Sequence, residues 1–293
     1  MEKRLARQQL EYIEFKLYWE NAVTRKDLME FFGVSRPQAS ILLKRYQEIA
    51  PENIRYDLSN KRYVRAREFS PLLISPSPEG YFNHLVQAKD GKDLGIVGFA
   101  QTGPGCDVVR PLQRRVEPGV LQKTIEAIRD GFSLRILYQS MTSDAPTMRI
   151  ISPHAFVYDG SRWHVRAYCH SSRGFRDFVL IRIAVVAGRE EEYVPPTDDH
   201  FWREKAEVKI GPHPELSPTQ QEIIARDYGM KNGFRSIALR KALVFYFLQH
   251  LRLLDIDLRS PREQQIVLLN RDELAQCLPE RARDTLEPSL NDK

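Results

Sequence analysis

Between Thr24 and Arg65 the chain carries a run of local signals that leaves few folds open to it. Thr24 can cap a short helix over "RKDLMEFF", with Asp27 in its first turn, and Gly33-Val34 then breaks it. Ser35 and Gln38 make the S-x-x-Q pattern of a capping box and open a further helix reaching about Ile49. In "NIRYDLSNKRYVRAR", Ile54, Tyr56 and Leu58 alternate with polar residues, Ser59-Asn60 marks a turn, and Lys61, Arg62 and Tyr63 lead back. That is a β-hairpin with a basic tip. Upstream, residues 6–20 carry one apolar stripe of Leu10, Ile13 and Leu17 and a second of Tyr12, Phe15 and Trp19. A band that wide predicts a helix buried on two sides. Helix, tight glycine turn, capped helix and hairpin together predict a winged helix-turn-helix.

Charge points the same way. The 293-residue chain has a net charge of +5. Residues 1–32 hold six Lys/Arg and six Asp/Glu, whereas residues 33–67 hold eight against three, so this segment equals the whole excess. Projected at about 100° per residue, the capped helix turns Ala39, Leu42, Leu43 and Tyr46 inward. Pro37, Ser40, Ile41 and Lys44 fall opposite, flanked by Gln38 and Arg45. In a major groove, Gln38 and Ser40 suit base edges, Ile41 suits a thymine methyl, and Lys44 and Arg45 suit phosphates; Arg36 suits either. On the wing, Arg55, Lys61, Arg62 and Arg65 suit the phosphate backbone, giving affinity and salt dependence. The candidate partner of this segment is double-stranded DNA.

Other classes are disfavoured. The longest apolar run, "ALVFYFL" from Ala242 to Leu248, is far short of the roughly 20 residues of a spanning helix. The N-terminus lacks an apolar h-region. The three cysteines, Cys106, Cys169 and Cys277, form no CxxC pair, which suits a reducing compartment. The expectation is a cytoplasmic, nucleoid-associated protein with no membrane partner.

The wing is expected to end the first domain, at residues 1–68. Residues 69–130 read as a connecting region rich in Pro and Gly. It holds a short helix near Tyr81–Ala88 and another from about Val120 to Arg129, with Val120, Leu121, Thr124, Ile125 and Ile128 on one face. The glycines at 103 and 105 are followed by no Gly-Lys-Ser/Thr, so they form no phosphate loop. Over residues 131–192, "FSLRILYQS", "MRIISPHAFVYDG", "SRWHVRAYCH" and "RDFVLIRIAVV" read as strands, with turns at Asp159-Gly160 and "SSRG". Short antiparallel strands of this kind predict a small barrel or sandwich. In residues 193–293, Ser217-Pro218 opens a helix through Tyr228, a longer helix is expected from about Ser236 to Leu253, and "QQIVLLN" suits a strand.

"SRWHVRAYCH" has two unlike faces. Trp163, Val165, Ala167 and Cys169 form an ordinary core face; Arg162, His164, Arg166, Tyr168 and His170 form the other. His164 and His170 lie roughly 20 Å apart on a strand, too far to share one ion, so no metal is expected. Ser152 and His154 in "ISPHAF" are neighbours with no identifiable Asp or Glu beside them, and no nucleophile motif is present, so no catalytic residue is expected. A hairpin closing around "SSRGF" sets His164 opposite Arg182, Arg166 opposite Leu180, Tyr168 opposite Phe178 and His170 opposite Arg176. Two readings stay open: a pocket for an anionic nucleotide-like ligand, and a solvated basic face.

"YQSMTS", "SPHAF", "RWHVRAY" and "RDFVL", behind a winged helix, resemble the WYL-domain transcriptional regulators, and among them the BrxR/CapW branch found beside anti-phage operons of the BREX and CBASS kinds. The motif positions read Trp163, His164 and Val165 here. The resemblance implies an α+β chain: an N-terminal winged helix-turn-helix, a central SH3-like or Sm-like β-barrel (the WYL domain) and a C-terminal α/β dimerisation extension. It implies a homodimer that represses from an operator with inverted repeats, with an activator as the alternative. It implies a nucleotide or oligonucleotide effector, no cofactor, and a pocket over Tyr138, Ser152, His154, Trp163, Arg166, Tyr168 and Arg182. Val179 and Ile181 stand where many WYL domains carry Arg and Asp, so Arg182 alone of those charges survives.

Overall fold

The computed structural model describes residues 2–94, 99, 105–109, 112, 114–254 and 260–279. Two compact units divide the chain, Met1–Arg110 and Pro111–Lys293. Of the two glycines weighed as a phosphate loop, Gly103 lies outside the described residues, as does part of the expected connecting region.

The first unit contains α1 (Glu2–Glu20), β1 (Ala22–Val23), α2 (Arg25–Phe32), α3 (Arg36–Ile49), β2 (Ile54–Asp57), β3 (Arg62–Arg65) and α4 (Pro78–Leu94). The expected capping box of Ser35 with Gln38 forms, and the expected cap at Thr24 proves to be a second box, closed by Asp27. Gly33 ends α2 at φ 65°, where a Cβ would be strained, and its N–H closes on the Met29 carbonyl. The wing strands pair antiparallel in the order β1-β3-β2. Both stripes of α1 are buried at Leu10, Tyr12, Ile13, Phe15 and Leu17, against Leu28 of α2 and Ala39, Leu42, Leu43 and Tyr46 of α3.

A fully buried carboxylate stands within that core. Glu14 Oε2 accepts the N–H groups of Leu72, Leu73 and Ile74 at 3.0, 2.6 and 2.9 Å, and its Oε1 accepts the Tyr46 hydroxyl at 2.8 Å. Asn53 adds a two-way clasp with Ser70, donating to its carbonyl at 2.7 Å and accepting its N–H at 2.9 Å. Phe69, Leu73, Ile74, Tyr81 and Leu85 pack on the same core. The first unit therefore runs on past residue 68 and includes α4, because the segment after the wing is bound by these polar contacts.

The second unit opens with α5 (Pro118–Asp130), β4 (Ser133–Tyr138), β5 (Thr147–Tyr158), β6 (Trp163–Cys169), β7 (Gly174–Val179) and β8 (Ile183–Glu190). The strands form one antiparallel sheet ordered β7-β6-β5-β4-β8. Its end strands do not pair with each other, so the sheet is open and the expected closed barrel is not formed. The run "RDFVLIRIAVV" is not one strand: a 3-10 turn at Leu180–Arg182 divides β7 from β8. Helix α5 buries Val120, Thr124 and Ala127, while Leu121 and Ile125 face out. The small Thr124 and Ala127 permit close approach to the sheet, and so the buried face is rotated from the expected one.

The C-terminal part contains α6 (His200–Arg203), β9 (Lys205–Pro212), α7 (Pro218–Asp227), β10 (Arg235–Arg240), α8 (Val244–His250), β11 (Ile266–Leu268) and α9 (Arg271–Ala275). The three strands pair as β10-β9-β11 over a separate apolar cluster of Val208, Ile210, Val244, Leu248, Ile266 and Leu274. The expected helix from Ser236 is half strand. Ile237 and Leu239 fit a two-residue period as well as a helical one, and pairing with Val208 and Ala206 of β9 decides for strand. No described helix is long and apolar enough to cross a membrane.

Candidate nucleic-acid interface and ligand cavity

On α3, Arg36, Pro37, Gln38, Ile41, Lys44 and Arg45 are exposed on the side away from the buried stripe. Ser40 is half-buried and engaged: it accepts Arg25 Nε at 2.8 Å and donates to the Arg36 carbonyl at 3.1 Å. The Gln38 side-chain oxygen accepts the Ser35 N–H at 2.9 Å, so of its amide the NH2 is left for a base edge. Lys44 and Glu48 are 4.0 Å apart and both exposed, a pair that does little to neutralise the lysine. On the wing, Arg55, Lys61 and Arg62 are exposed. Arg65 is engaged otherwise: its guanidinium lies 5.5 and 5.0 Å from the Tyr18 and Phe69 ring centroids, and it donates to the Tyr18 carbonyl at 3.4 Å. Sequence reasoning missed Arg25, which also sits 5.7 Å over the Tyr63 ring and so braces α2 against α3 and β3.

In the second unit the polar face of β6 is neither bare nor solvated. The β6–β7 turn is His170–Arg173, with Arg173 left-handed at φ 51°, so Gly174 already lies in the strand opposite Cys169. Arg166 therefore faces Asp177, and His164 faces Val179 rather than Arg182. Arg166 is 7% exposed. Its Nε and Nη2 donate to the two oxygens of Asp199 at 2.8 and 3.1 Å, and its Nη1 donates to Asp177 at 3.3 Å. Asp199 also binds His154 Nε2 at 3.0 Å and the Trp202 N–H at 3.1 Å, which caps α6. Asp177 accepts the Tyr246 hydroxyl at 2.9 Å, and the Tyr246 ring lies 5.1 Å from that of His164, whose Nε2 meets Asp159 at 2.8 Å.

Burial works to raise the Asp199 carboxyl, but the hydrogen bonds from His154 and Arg166 outweigh it and hold the group well below the usual carboxylate range. Asp159 is held low in the same way, its burial overcome by His164 and the N–H groups of Ser161 and Arg162. Burial, then the neighbouring Asp177, pushes the Tyr246 hydroxyl far up. The buried Arg166 guanidinium thus has its anions, as a buried charge requires.

Ser152 is fully buried, and its Oγ lies 2.8 Å from His170 Nε2, with the Glu192 carboxylate 3.7 Å from the other ring nitrogen. The composition is that of a nucleophile, base and acid. The hydroxyl, however, also meets Ser133 Oγ at 2.7 Å and accepts the Val194 N–H at 3.1 Å. With its hydrogen-bonding capacity taken and no solvent access, it is a clasp between strands. The acid missing beside His154 in sequence is Asp199, brought from a distant loop. Among the described residues no group of three or more His, Cys, Asp or Glu is placed to hold a metal.

A cavity of about 1020 Å³ opens between β4–β7 and the C-terminal elements α6, α8 and the turn after α9. Of the pocket residues implied by resemblance, Tyr138 and Arg166 line it. Ser152, His154 and Tyr168 are not among its lining residues. Trp163 is not core: it is 51% exposed, and its ring lies tilted 5.0 Å from that of Tyr158 at the hairpin end. Arg182 lies in the 3-10 turn, where its carbonyl accepts the Gln139 N–H. The cavity instead gathers Arg149 and Arg176 with Phe201, Phe245 and Tyr246; of these the sequence reading named only Arg176, which pairs with Ala167 and not with His170.

Three family models cover the chain in order. The BrxR transcriptional regulator winged helix-turn-helix domain matches residues 6–87, the WYL domain residues 119–187, and the BrxR transcriptional regulator C-terminal dimerization domain residues 205–274. A DNA-binding transcriptional repressor CapW of Stenotrophomonas maltophilia is 36% identical over 95% of this chain and 93% of its own. The chain belongs to the BrxR/CapW family of transcriptional regulators. CapW repressors of Escherichia coli (strain KTE188) and Pseudomonas aeruginosa are 35% and 34% identical, each over 90% of this chain and 89% of their own. Among solved structures, proteasome accessory factor B/C of Arthrobacter aurescens aligns with 96% of this chain and 45% of its own at a TM-score of 0.30 and 13% identity. Membership of the BrxR/CapW family places the chain among regulators and not enzymes. The WYL match takes in α5, which packs on the sheet and is not a connector.

Proposed function

We propose that this BrxR/CapW-family chain is a homodimeric, sequence-specific DNA-binding repressor of a phage-defence operon of the BREX or CBASS kind, relieved by an anionic nucleotide or oligonucleotide in the cavity of its second unit. The observation that carries DNA binding is α3: a capped helix whose one face is buried and whose other presents Arg36, Pro37, Gln38, Ile41, Lys44 and Arg45. Two copies of α3 in successive major grooves suit half-sites of an inverted repeat about 34–36 Å apart. An incoming phosphate meets Arg149 and Arg176 first, because Arg166 is already held by two carboxylates. To relieve repression, the ligand must bind the DNA-free geometry more tightly than the DNA-bound one.

The test uses a duplex selected from a random pool by the wild-type chain. Lys44→Ala combined with Arg45→Ala should weaken binding and lower the slope of log affinity against log salt by roughly two. An unchanged slope would remove α3 from the interface.

A further inference from the structure

The wing tip carries a residue that phosphate binding does not explain. Strands β2 and β3 pair as far as Asp57 and Arg62, leaving Leu58–Lys61 as the tip. The Asp57 carboxylate accepts the N–H groups of Ser59 and Asn60 at 3.0 and 3.2 Å and the Asn60 side-chain amide at 2.8 Å. Lys61 completes the turn at φ 49°. The tip is thus held by three internal hydrogen bonds, and it holds Leu58 81% exposed, with Arg55, Lys61 and Arg62 exposed on the same hairpin. The turn uses Asp57 and Asn60; nothing in it calls for leucine. An apolar side chain kept in water by a braced loop, on a hairpin that exposes three cations, is arranged for a surface both anionic and locally apolar.

We infer that Leu58 is an apolar contact placed by the wing in the DNA minor groove beside the major groove that α3 occupies. The inference rests on the DNA-binding reading above. The cations suit the phosphates that border the groove. Leucine can pair with neither phosphate nor water; DNA offers it the sugar walls and base edges of the groove. There a G·C pair adds the guanine 2-amino donor, which a leucine would desolvate without replacing its hydrogen bond. The side chain therefore favours A·T pairs at the outer flank of each half-site, a preference that α3 does not supply.

The experiment uses the full chain, the duplex that the wild type selects, and versions with the outer flank as A·T, G·C or I·C; inosine lacks the 2-amino group. Wild type should bind the G·C flank more weakly than A·T, and the I·C flank should restore binding. Leu58→Ser should weaken binding to the A·T duplex about tenfold, the loss of one apolar contact, with the salt slope unchanged and the flank preference gone. Lys61→Ala should lower the salt slope by roughly one and keep the preference. Wild-type affinity in Leu58→Ser, a preference that survives that change, or an I·C flank no better than G·C would each overturn the inference while leaving DNA binding standing. Failure of the wild type to select any duplex would instead overturn the DNA-binding reading, and Leu58 with it.

Discussion

Replacing Asp199 by alanine is expected to destabilise the second unit by about 3–5 kcal/mol, the usual cost of removing one partner from a buried ion pair. Asp199 is 1% exposed and is the bidentate partner of Arg166, the acceptor for His154 and the cap of α6. Without it a buried guanidinium keeps only Asp177, at 3.3 Å. In a Trp19→Phe background, a urea melt followed by tryptophan fluorescence reads this unit through Trp163 and Trp202; a midpoint equal to that of the background chain would show that the network does not hold the unit together. The same network sets an acid limit. Asp159 and Asp199 have carboxyl pKa values depressed by folding. Their contribution is therefore complete above the unfolded value of about 3.9 and is lost as pH falls below it towards the folded values. Stability of this unit should fall between about pH 4 and lower pH in wild type, and less steeply in Asp199→Asn.

Glu14→Ala is expected to cost the first unit about 3 kcal/mol or more. Three N–H groups and the Tyr46 hydroxyl lose their acceptor together, and an orphaned buried donor costs about 1–3 kcal/mol. Water entering the space offsets part of that sum. Since Glu14 joins α3, through Tyr46, to the segment after the wing, the local signature is loss of amide hydrogen-exchange protection at Leu72, Leu73 and Ile74. Full protection of those amides in Glu14→Ala would contradict this role. Glu14→Gln should fall between, keeping one carbonyl oxygen but adding donors where donors already converge.

What was legible in the sequence followed local rules. The cap at Thr24, the capping box at Ser35, the break at Gly33 and the period of Ala39, Leu42, Leu43 and Tyr46 each depend on residues within a few positions, and each formed. Non-local pairing was not legible. Asp199 carries no role in the sequence reading; its bond to Arg166 spans 33 residues. The β6–β7 register turned on Arg173 adopting φ 51°, which no residue type announces. Trp163 was assigned to the core by alternation, yet it begins its strand, where alternation no longer implies burial. Helical period placed Lys44 and Arg45 on the exposed face of α3, but no local pattern announces that Arg65, exposed on the wing, lies against Tyr18 and Phe69, which come from separate elements.

The central claim is that two copies of α3 read one inverted repeat. Hydroxyl-radical footprinting of the wild-type chain on its selected duplex tests it most directly. The expected result is two protected patches related by a two-fold axis, with centres about 10–10.5 base pairs or a multiple of that apart, both lost in the Lys44→Ala, Arg45→Ala chain. A single asymmetric patch, or two patches that persist in that variant, would contradict it.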